Sequence, residues 1–318
     1  MNRTMALALV FPGQGSQDVG MGKALAEMHV AAREVFDEVD DALGERLSAI
    51  MFEGPKDRLT LTENAQPALM AVSMAVLRVL EREHGFKITE RVGCVAGHSL
   101  GEYSALAAAG ALSLADAARL LRLRGRAMQK AVPVGQGAMA ALLGVGVEIG
   151  RKVAAEAAQG EVCQVANDNE PTQVVLSGHK SAIDRVPVIG KTHGVRRAMP
   201  LPVSAPFHCS LMQPAAEAMA AALAEVEVRT PAVPVIANVV AEPISEPSEV
   251  KRRLVEQVTG TVRWRECVAR MNALGISEYW ELGAGKVLSG LAKRIFKDAN
   301  AISIGTPADL AAAGFIRE

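Results

Sequence analysis

The sequence of 318 residues predicts an α/β protein with a parallel sheet and a smaller domain inserted into the chain. Three observations support this fold class. Short apolar segments alternate with longer segments of helical pattern along most of the chain. The run Gly97–Gly101 has the spacing Gly-x-Ser-x-Gly between a strand-like and a helix-like segment. In the middle of the chain the order of predicted elements changes to β-α-β-β-α-β.

The first part of the chain, residues 1–132, begins with a strand at 6–11 and a glycine-rich turn. Pro67 is expected in the first turn of a helix, where its missing N–H costs nothing. Ser113 and Asp116 have the spacing of a capping box and are expected to open a helix that ends near Lys130. The other elements predicted here are helices at 32–43 and from Pro67 to Glu83, and a strand and helix within 92–110.

The middle part, residues 133–201, predicts a small domain of its own. Asp168-Asn169-Glu170-Pro171 is expected to form the turn between its second and third strands. The predicted order is that of a ferredoxin-like unit. Its elements are a strand at Gly137–Gly144, a helix at Val147–Ala158, strands at Val162–Asn167 and Thr172–Ser177, a helix at Lys180–Ile189 and a strand at Gly194–Leu201.

The last part, residues 202–318, resumes the alternation of strands and helices and is expected to complete the large domain. Its alanine-rich end, 305–313, predicts a short surface helix. The other elements predicted here are a helix at 210–226, a strand at Val233–Asn238, helices at 248–258 and 263–274, a strand at Ser277–Glu281 and a helix ending near Phe296.

Composition excludes several classes of function. The net charge is −1, no basic run is present and only 3% of residues are aromatic, so nucleic acid is not an expected partner. The four cysteines are widely spaced, which gives no support to a zinc site or a disulfide framework. The apolar run that ends at Phe11 is too short for a signal peptide, and no run is long enough to span a membrane. We therefore expect a cytoplasmic enzyme without membrane contact.

The strongest chemical signal is Gly97-His98-Ser99-Leu100-Gly101. An apolar strand, a sharp turn and a helix together form a nucleophile elbow, which exposes a serine oxygen at the carboxyl edge of a sheet. Glycines are expected on both sides because side chains would crowd the turn. The following helix would direct its free N–H groups toward charge that develops near Ser99. A chance match to this short pattern is the alternative.

A serine hydroxyl needs a base, and His208 is the best candidate among six histidines. It follows a proline in the loop Ser204–Met212, well after the serine in the chain, as in hydrolases that carry such an elbow. His98 is expected to point away from Ser99 and to have a packing role. The other histidines are expected to be solvated at helix surfaces, His29 and His84, or to lie in loops of the inserted domain, His179 and His193.

Attack on a thioester or ester creates an oxyanion that needs two N–H donors. One would be the N–H of Leu100, directly after the nucleophile. The turn Gly13-Gln14-Gly15 follows the first strand and could supply the second. Taken alone, this turn would be an ordinary β-turn, so its role depends on the elbow.

With these residues assembled, the chain resembles the malonyl-CoA:acyl carrier protein transacylases of fatty acid synthesis over nearly its whole length. The resemblance implies a hydrolase-like large domain with an inserted ferredoxin-like subdomain. It rests on several motifs in the right order: Phe11-Pro12-Gly13-Gln14-Gly15-Ser16-Gln17, Gln66-Pro67-Ala68-Leu69, Gly97-His98-Ser99-Leu100-Gly101-Glu102-Tyr103-Ser104-Ala105, Arg124-Gly125-Arg126-Ala127-Met128, Ala166-Asn167-Asp168-Asn169, Pro206–Met212, Val262-Arg263-Trp264 and Glu281-Leu282-Gly283-Ala284-Gly285-Lys286-Val287-Leu288.

The resemblance also implies a role for each site residue. Ser99 would be acylated by malonyl-CoA, His208 would be its base, and the backbone carbonyl of Gln257 would orient the histidine. The N–H groups of Gln14 and Leu100 would form the oxyanion hole. The acyl carrier protein would receive the malonyl group on its phosphopantetheine thiol, and no metal or bound cofactor is needed. Residues expected to bind the substrate are Arg124, Gln66, Met128, Asn167 and Phe207.

Two positions carry specific expectations from the resemblance. Phe207 resembles the malonyl-selective form of this loop in polyketide acyltransferases, where a bulky ring would crowd an α-methyl group. Ala284 stands where many relatives have proline, which affects only a local turn away from the chemistry.

Arg124 is the residue for which two interpretations differ most. On the sequence alone it belongs to a solvated basic helix face with Arg119, Arg122 and Arg126. The resemblance instead places it on the free carboxylate of malonyl, which a guanidinium can hold through both oxygens.

Three alternatives to this function are compatible with the sequence. The same chemistry could serve malonate decarboxylase or a polyketide carrier. A serine hydrolase would release free malonate, and a carrier-binding module could keep the fold without catalysis.

Overall fold

The computed structural model describes residues 5–315, so the ends of the predicted large domain at 1 and 318, and the start of the signal-like run, lie outside it. Its strands are β1 Leu7–Phe11, β2 Val92–Gly97, β3 Gly137–Leu143, β4 Cys163–Glu170, β5 Gln173–His179, β6 Arg197–Pro200, β7 Val235–Ala237, β8 Glu242–Ile244, β9 Glu278–Leu282 and β10 Asn300–Ile304.

The helices lie mostly between these strands, as the alternating pattern predicted. They are α1 Lys23–Met28, α2 Val30–Leu43, α3 Leu47–Glu53, α4 Lys56–Thr60, α5 Thr62–His84, α6 Ile88–Arg91, α7 Gly101–Ala108, α8 Leu114–Ala131, α9 Val147–Ala158, α10 Lys180–Thr192, α11 Gln213–Glu225, α12 Pro247–Thr259, α13 Trp264–Ala273, α14 Val287–Ile295 and α15 Pro307–Ala312, with a 3₁₀ turn at Ser210–Met212 before α11. None of the described helices combines the length and the apolar character needed to cross a membrane.

The larger sheet has the order β10-β9-β1-β2-β7-β8. All neighbouring pairs are parallel except β7 and β8, which are antiparallel. The α/β class is therefore confirmed, but the sheet is mixed rather than purely parallel. Strand β1 is apolar and buried along its whole length, as expected for a central parallel strand with helices on both faces. Because parallel strands end at one edge, the segments after β1, β2 and β7 meet there.

The smaller sheet is antiparallel and has the order β4-β5-β3-β6. Its elements follow one another as β3-α9-β4-β5-α10-β6, which is the order predicted from the sequence. Helices α9 and α10 pack on one face, where an apolar cluster separate from those of the larger sheet includes Leu142, Val153 and Val186. Strand β4 continues toward the larger sheet through a parallel bridge between Asn167 and Val262.

The predicted turn at 168–171 is wrong, because β4 extends through Glu170 and only the next two residues turn. The two carboxylates of this stretch are buried and form ion pairs rather than being solvated. Asp168 contacts Arg265 at 2.8 Å, and Glu170 contacts Arg294 at 2.8 Å. Buried carboxylates in a strand are stable when they are paired in this way, and a polarity pattern alone does not reveal the partner.

Other differences concern Pro67 and the edge strands. Helix α5 begins at Thr62, so Pro67 lies inside it rather than in its first turn. The loss of one backbone hydrogen bond is tolerated where the helix is buried along most of its length. The sequence did not predict β8 or β10 because both are short, and edge strands carry weak periodicity.

Candidate active site

The nucleophile elbow is formed as a strand, a sharp turn and a helix, with Ser99 at left-handed φ of 54° between β2 and α7. A Cβ atom on Gly97 would lie 1.9 Å from the carbonyl carbon of Gly101, and one on Gly101 would lie 2.2 Å from the carbonyl oxygen of Phe11. Both glycines are thus required for close backbone approach, as the sequence predicted. The strained serine is held by its surroundings, as is common at functional sites.

His208 lies directly beside Ser99, although 109 positions separate them in the chain. The serine Oγ is 2.7 Å from Nε2 of the imidazole. Nδ1 is 2.9 Å from the backbone carbonyl oxygen of Gln257, which can only accept a hydrogen bond. Nδ1 therefore carries the proton, and Nε2 is free to accept one from the serine. His208 is itself held at left-handed φ of 58°.

The imidazole of His208 is buried at 4% exposure. Burial, together with the nearby positive charge of Arg124, lowers its pKa from 6.5 to about 3. The ring is neutral at physiological pH as a result. A neutral ring with a free Nε2 can act as a general base.

Arg124 is the third group at the serine, and its side chain is only 1% exposed. Its Nη2 donates to Ser99 Oγ at 3.1 Å and to the side-chain oxygen of Gln257 at 2.9 Å. Its Nη1 donates to Oε1 of Gln66 at 2.8 Å. The cation also lies over the ring of Tyr103, 5.8 Å from its centre. The chain thus places a desolvated positive charge within hydrogen-bond distance of the serine oxygen.

The other arginines of α8 do not form one solvated face. Arg119 and Arg126 are exposed, each with 59% of its side chain accessible. Arg122 is buried at 6%, where it forms an ion pair with Glu45 and a hydrogen bond to Asn64. The expectation of a solvated position is therefore wrong for Arg122. Its spacing from Arg119 and Arg126 could not show that a carboxylate from the loop after α2 and an amide from α5 cover it.

A close contact between two helices brings Arg124 to the serine. A Cβ atom on Gly125 would lie 2.5 Å from Cα of Glu63, so the glycine allows α8 to approach the backbone of α5. This contact sets Gln66 of α5 next to Arg124. Gln66 also donates to the hydroxyl of Thr62 at 3.0 Å, and that hydroxyl donates to the side chain of Gln14 at 2.9 Å.

These groups line a cavity of about 440 Å³ at the carboxyl edge of the larger sheet, against the smaller sheet. All of the predicted site residues except Gln257 line it, and Gln257 lies behind Arg124 and His208. The lining residues are Gln14, Gly15, Gln17, Lys56, Thr60, Gln66, His98, Ser99, Leu100, Arg124, Met128, Met139, Asn167, Leu201, Pro202, Val203, Phe207 and His208.

Two backbone N–H groups beside the cavity have no partner among the described residues. They belong to Gln14, in the turn after β1, and to Leu100, directly after the serine. The adjacent N–H groups of Ser99 and Gly15 are engaged, because Ser99 N–H donates to Asn238 and Gly15 N–H donates to Gln17. Two free donors next to the serine, one of them at the start of α7, are suited to bind an oxyanion. Among residues 5–315, no group of three His, Cys, Asp or Glu side chains is arranged to hold a metal ion.

Two polar residues beneath the elbow were missed as site residues. Asn238 follows β7, where its side chain accepts from Ser99 N–H at 2.8 Å and donates to Gly97 O at 2.7 Å. Glu102 lies in the first turn of α7 and is 1% exposed. The sequence did contain a signal for Asn238, which lies at the carboxyl end of a strand. Because β2 and β7 are parallel neighbours, their carboxyl ends meet at the same edge of the sheet, and this places Asn238 next to the elbow.

The remaining histidines lie apart from the serine oxygen. His98 contacts Asn169 of β4 at 2.9 Å and packs against Trp264, in agreement with a packing role. His179 and His193 lie at the ends of α10. His29 is buried at 7% and contacts Glu83 at 2.7 Å, so its predicted solvation is wrong because α1, α2 and α5 pack around it.

Comparisons with known proteins agree over nearly the whole chain. Residues 8–303 match the model of the acyl transferase domain family. A malonyl CoA-acyl carrier protein transacylase of Bacillus subtilis is 45% identical over 95% of this chain and 94% of its own. A crystal structure of an acyl-carrier-protein S-malonyltransferase from Bartonella henselae is 55% identical, with a TM-score of 0.94 and coverage of 97% and 98%. A malonyl-transacylase in complex with its type II polyketide synthase acyl-carrier protein is 42% identical, with a TM-score of 0.93 and coverage of 96% and 98%.

Proposed function

This chain belongs to the acyl transferase domain family, and we propose that it acts there as a malonyl-CoA:acyl carrier protein transacylase with Ser99 as its nucleophile. The family membership confirms the resemblance that the motifs indicated. The enzyme moves a malonyl group from malonyl-CoA to the phosphopantetheine thiol of an acyl carrier protein, for fatty acid synthesis. The assignment of individual residues rests on the geometry of the site.

The proposed division of the chain follows the two sheets. It assigns residues 1–132 and 202–318 to a hydrolase-like catalytic domain around the larger sheet, and residues 133–201 to an inserted ferredoxin-like subdomain around the smaller one. This division is supported by the separate sheets and by the separate apolar cluster of the smaller one. The cavity is lined by residues from both segments, such as Ser99 and Asn167.

In the first half-reaction, Ser99 Oγ attacks the thioester carbonyl carbon of malonyl-CoA while His208 Nε2 accepts the hydroxyl proton. The carbonyl oxygen becomes an oxyanion that accepts hydrogen bonds from the N–H groups of Gln14 and Leu100. When the C–S bond breaks, His208 returns the proton to the departing sulfur. The products are malonyl-Ser99 and CoA as a free thiol. No metal or cofactor takes part in these steps.

In the second half-reaction, the thiol of the carrier's phosphopantetheine arm gives its proton to His208 and attacks malonyl-Ser99. The ester bond breaks, and the serine oxygen takes the proton back. A thioester is consumed and a thioester is formed, so the reaction is close to balanced in energy. Catalysis therefore consists of positioning and of charge stabilisation in a desolvated site.

Arg124 is proposed to hold the free carboxylate of the malonyl group. Its guanidinium is desolvated and adjacent to the serine, so an acyl group attached to Ser99 would carry its second carboxyl into reach of the cation. Gln66, Met128, Asn167 and Phe207 complete the wall around the acyl chain. The ring of Phe207 narrows the cavity next to His208, which would disfavour a methyl branch on the acyl group.

The observation that carries this function is the position of Ser99 Oγ, 2.7 Å from His208 and 3.1 Å from Arg124. A base alone would suit many serine enzymes, whereas a buried cation at the nucleophile selects an acyl group that carries its own negative charge. Intact-protein mass spectrometry after mixing with malonyl-CoA tests this. We expect one malonyl adduct on the wild type and none on Ser99→Ala, because loss of a serine nucleophile costs about a million-fold in rate.

Two results would contradict the proposal. An adduct on Ser99→Ala would show that another residue is the nucleophile. Release of free malonate at the same rate with and without carrier would indicate a serine hydrolase instead. A panel of fatty acid, polyketide and malonate decarboxylase carriers then identifies the acceptor. The proposed compartment is the cytoplasm, because all four cysteines are free thiols.

A further inference from the structure

A buried carboxyl group lies beneath the elbow and has no part in the mechanism described above. Glu102 turns inward from the first turn of α7, and one of its oxygens, Oε2, accepts two hydrogen bonds. One donor is the backbone N–H of Asn238 at 2.9 Å, and the other is the side-chain amide of Gln257 at 2.9 Å. A buried acidic side chain with two donors on one oxygen is a specific arrangement that calls for an explanation.

The second donor is the informative one, because Gln257 contacts Ser99, His208 and Arg124. Its Nε2 donates to Glu102 and also to the backbone carbonyl of Ser99 at 3.0 Å. Its Oε1 accepts from Nη2 of Arg124 at 2.9 Å. The backbone carbonyl of the same residue accepts from Nδ1 of His208 at 2.9 Å. Gln257 is therefore in contact with the nucleophile, the base and the cation at once.

Only one orientation of this amide is compatible with its neighbours. If the amide were reversed, its NH₂ group would face the guanidinium of Arg124, which has donors only. Its oxygen would face the carboxyl oxygen of Glu102, an acceptor. Glu102 and the backbone carbonyl of Ser99 thus accept from the NH₂ group and favour the orientation in which Gln257 can receive a hydrogen bond from Arg124, and Glu102 is the nearer of the two at 2.9 Å.

We propose that Glu102 is a positioning residue, whose Oε2 orients Gln257 so that Arg124 is held beside Ser99 for the charged acyl group. The inference rests on the proposed function of the site and adds a determinant of substrate selectivity to it. Without this acceptor, the NH₂ group of Gln257 keeps the carbonyl of Ser99 as its nearest acceptor, so the amide is held less firmly and fixes the guanidinium less well. The guanidinium would then be free to move, and a displacement of about 1 Å is enough to cost about a hundredfold in rate.

The role requires the oxygen rather than the charge of Glu102. A carboxylic acid that carries its proton on Oε1 still offers Oε2 as an acceptor of both hydrogen bonds. Burial raises the pKa of Glu102 to about 7, so both forms are present near neutral pH. Glu102→Gln keeps an acceptor oxygen of the same reach, whereas Glu102→Leu removes it at similar volume. This pair of substitutions separates positioning from charge.

The test measures kcat and KM of both variants with malonyl-CoA and with acetyl-CoA, with one acyl carrier protein as acceptor. We expect Glu102→Leu to lower malonyl transfer by about ten- to a hundredfold and to lower the ratio of malonyl to acetyl transfer. Glu102→Gln should stay within about threefold of the wild type in both values. Ser104→Ala is the matched control on the same helix, because its buried hydroxyl has no hydrogen-bond partner among the described residues.

A double-mutant cycle tests whether Glu102 acts through Gln257. Gln257→Leu removes the amide and keeps the backbone carbonyl that orients His208. If the inference holds, Gln257→Leu lowers the malonyl-to-acetyl ratio, and adding Glu102→Leu lowers it no further. If Glu102→Leu does not fold, Gln257→Leu alone still tests the inference, because an unchanged malonyl-to-acetyl ratio in that variant would contradict it.

Three results would overturn the inference. They are an unchanged ratio in Gln257→Leu, fold-losses that multiply in the double variant, and a Glu102→Gln variant as impaired as Glu102→Leu. A wild-type protein that forms no malonyl adduct would instead refute the proposed function, so the two failures are distinguishable.

Discussion

Replacing Arg124 with alanine removes the buried cation beside Ser99, the proposed nucleophile. In the free enzyme, the guanidinium donates three hydrogen bonds, to Ser99, Gln66 and Gln257, at 2.8 to 3.1 Å. In the proposed acyl-enzyme, it also pairs with the malonyl carboxylate. The substitution leaves that carboxylate in a desolvated cavity without a partner, which is the main source of the expected loss.

The magnitude follows from the burial of the guanidinium, which is 1% exposed. A hydrogen bond to a charged group contributes about 1.5–3 kcal/mol. Truncation of one partner of a buried, hydrogen-bonded charge pair costs about 2–5 kcal/mol. The two estimates together span about 1.5–5 kcal/mol, which corresponds to a roughly ten- to several-thousand-fold loss of malonyl transfer, since about 1.4 kcal/mol is a factor of ten.

Acetyl transfer should respond in the opposite direction. An acetyl group brings no carboxylate, so in the wild type it leaves the guanidinium buried without a counter-charge. In Arg124→Ala that penalty is absent, and the ratio of acetyl to malonyl transfer should rise. Arg124→Lys should restore malonyl transfer only in part, because an ammonium cannot hold both carboxylate oxygens through a planar fork.

The assay compares malonyl-CoA and acetyl-CoA with each purified variant and one acyl carrier protein. Arg119→Ala and Arg126→Ala are matched controls on the same helix, because both side chains are largely exposed. Arg122 is unsuitable as a control because it is buried and paired. An unchanged malonyl-to-acetyl ratio in Arg124→Ala would refute the assignment and leave the selectivity without a source.

Three further predictions concern the base, the packing of the site and the dependence of stability on pH. His208→Ala should slow malonylation of the enzyme by about a hundred- to ten-thousand-fold with the fold intact, and more than His98→Ala does; single-turnover mass spectrometry checks this, and the reverse ranking would mean that the base is misassigned. Gly125→Ala should lower the free energy of unfolding by about 1–3 kcal/mol, because its Cβ would meet the backbone of Glu63 at 2.5 Å; urea unfolding checks this, and an unchanged value would show that the helices can separate without cost. Burial raises the pKa of Glu102 from 4.5 to about 7, so its stabilising contribution is full below pH 4.5 and is lost as the pH rises through 7. The melting temperature of Glu102→Gln relative to wild type should therefore increase between pH 5 and pH 8, and a constant difference would contradict the raised pKa.

Much of the site could be predicted from the sequence because its central element is local. Strand, turn and helix at Gly97–Gly101 follow from five adjacent residues, and the steric need for glycine is the same in any protein. The β-α-β-β-α-β order was likewise visible, because each of its elements has its own periodicity. The short strands β8 and β10 were not visible, since three to five residues at a sheet edge carry little pattern.

The sequence by itself determined the α/β class, the elbow at Ser99 and, through several motifs, the family. These features depend on contacts between residues that are close in the sequence, or on motifs that can be recognised in the sequence itself. Only the tertiary structure decided which polar residues are desolvated together. Arg124 and Arg126 are only two positions apart in the sequence. Arg124 is buried because α5 and α12 pack over it, whereas the side chain of Arg126 is exposed to solvent. The burial and orientation of Glu102 have the same origin, because its partners Asn238 and Gln257 arrive from more than 130 positions away.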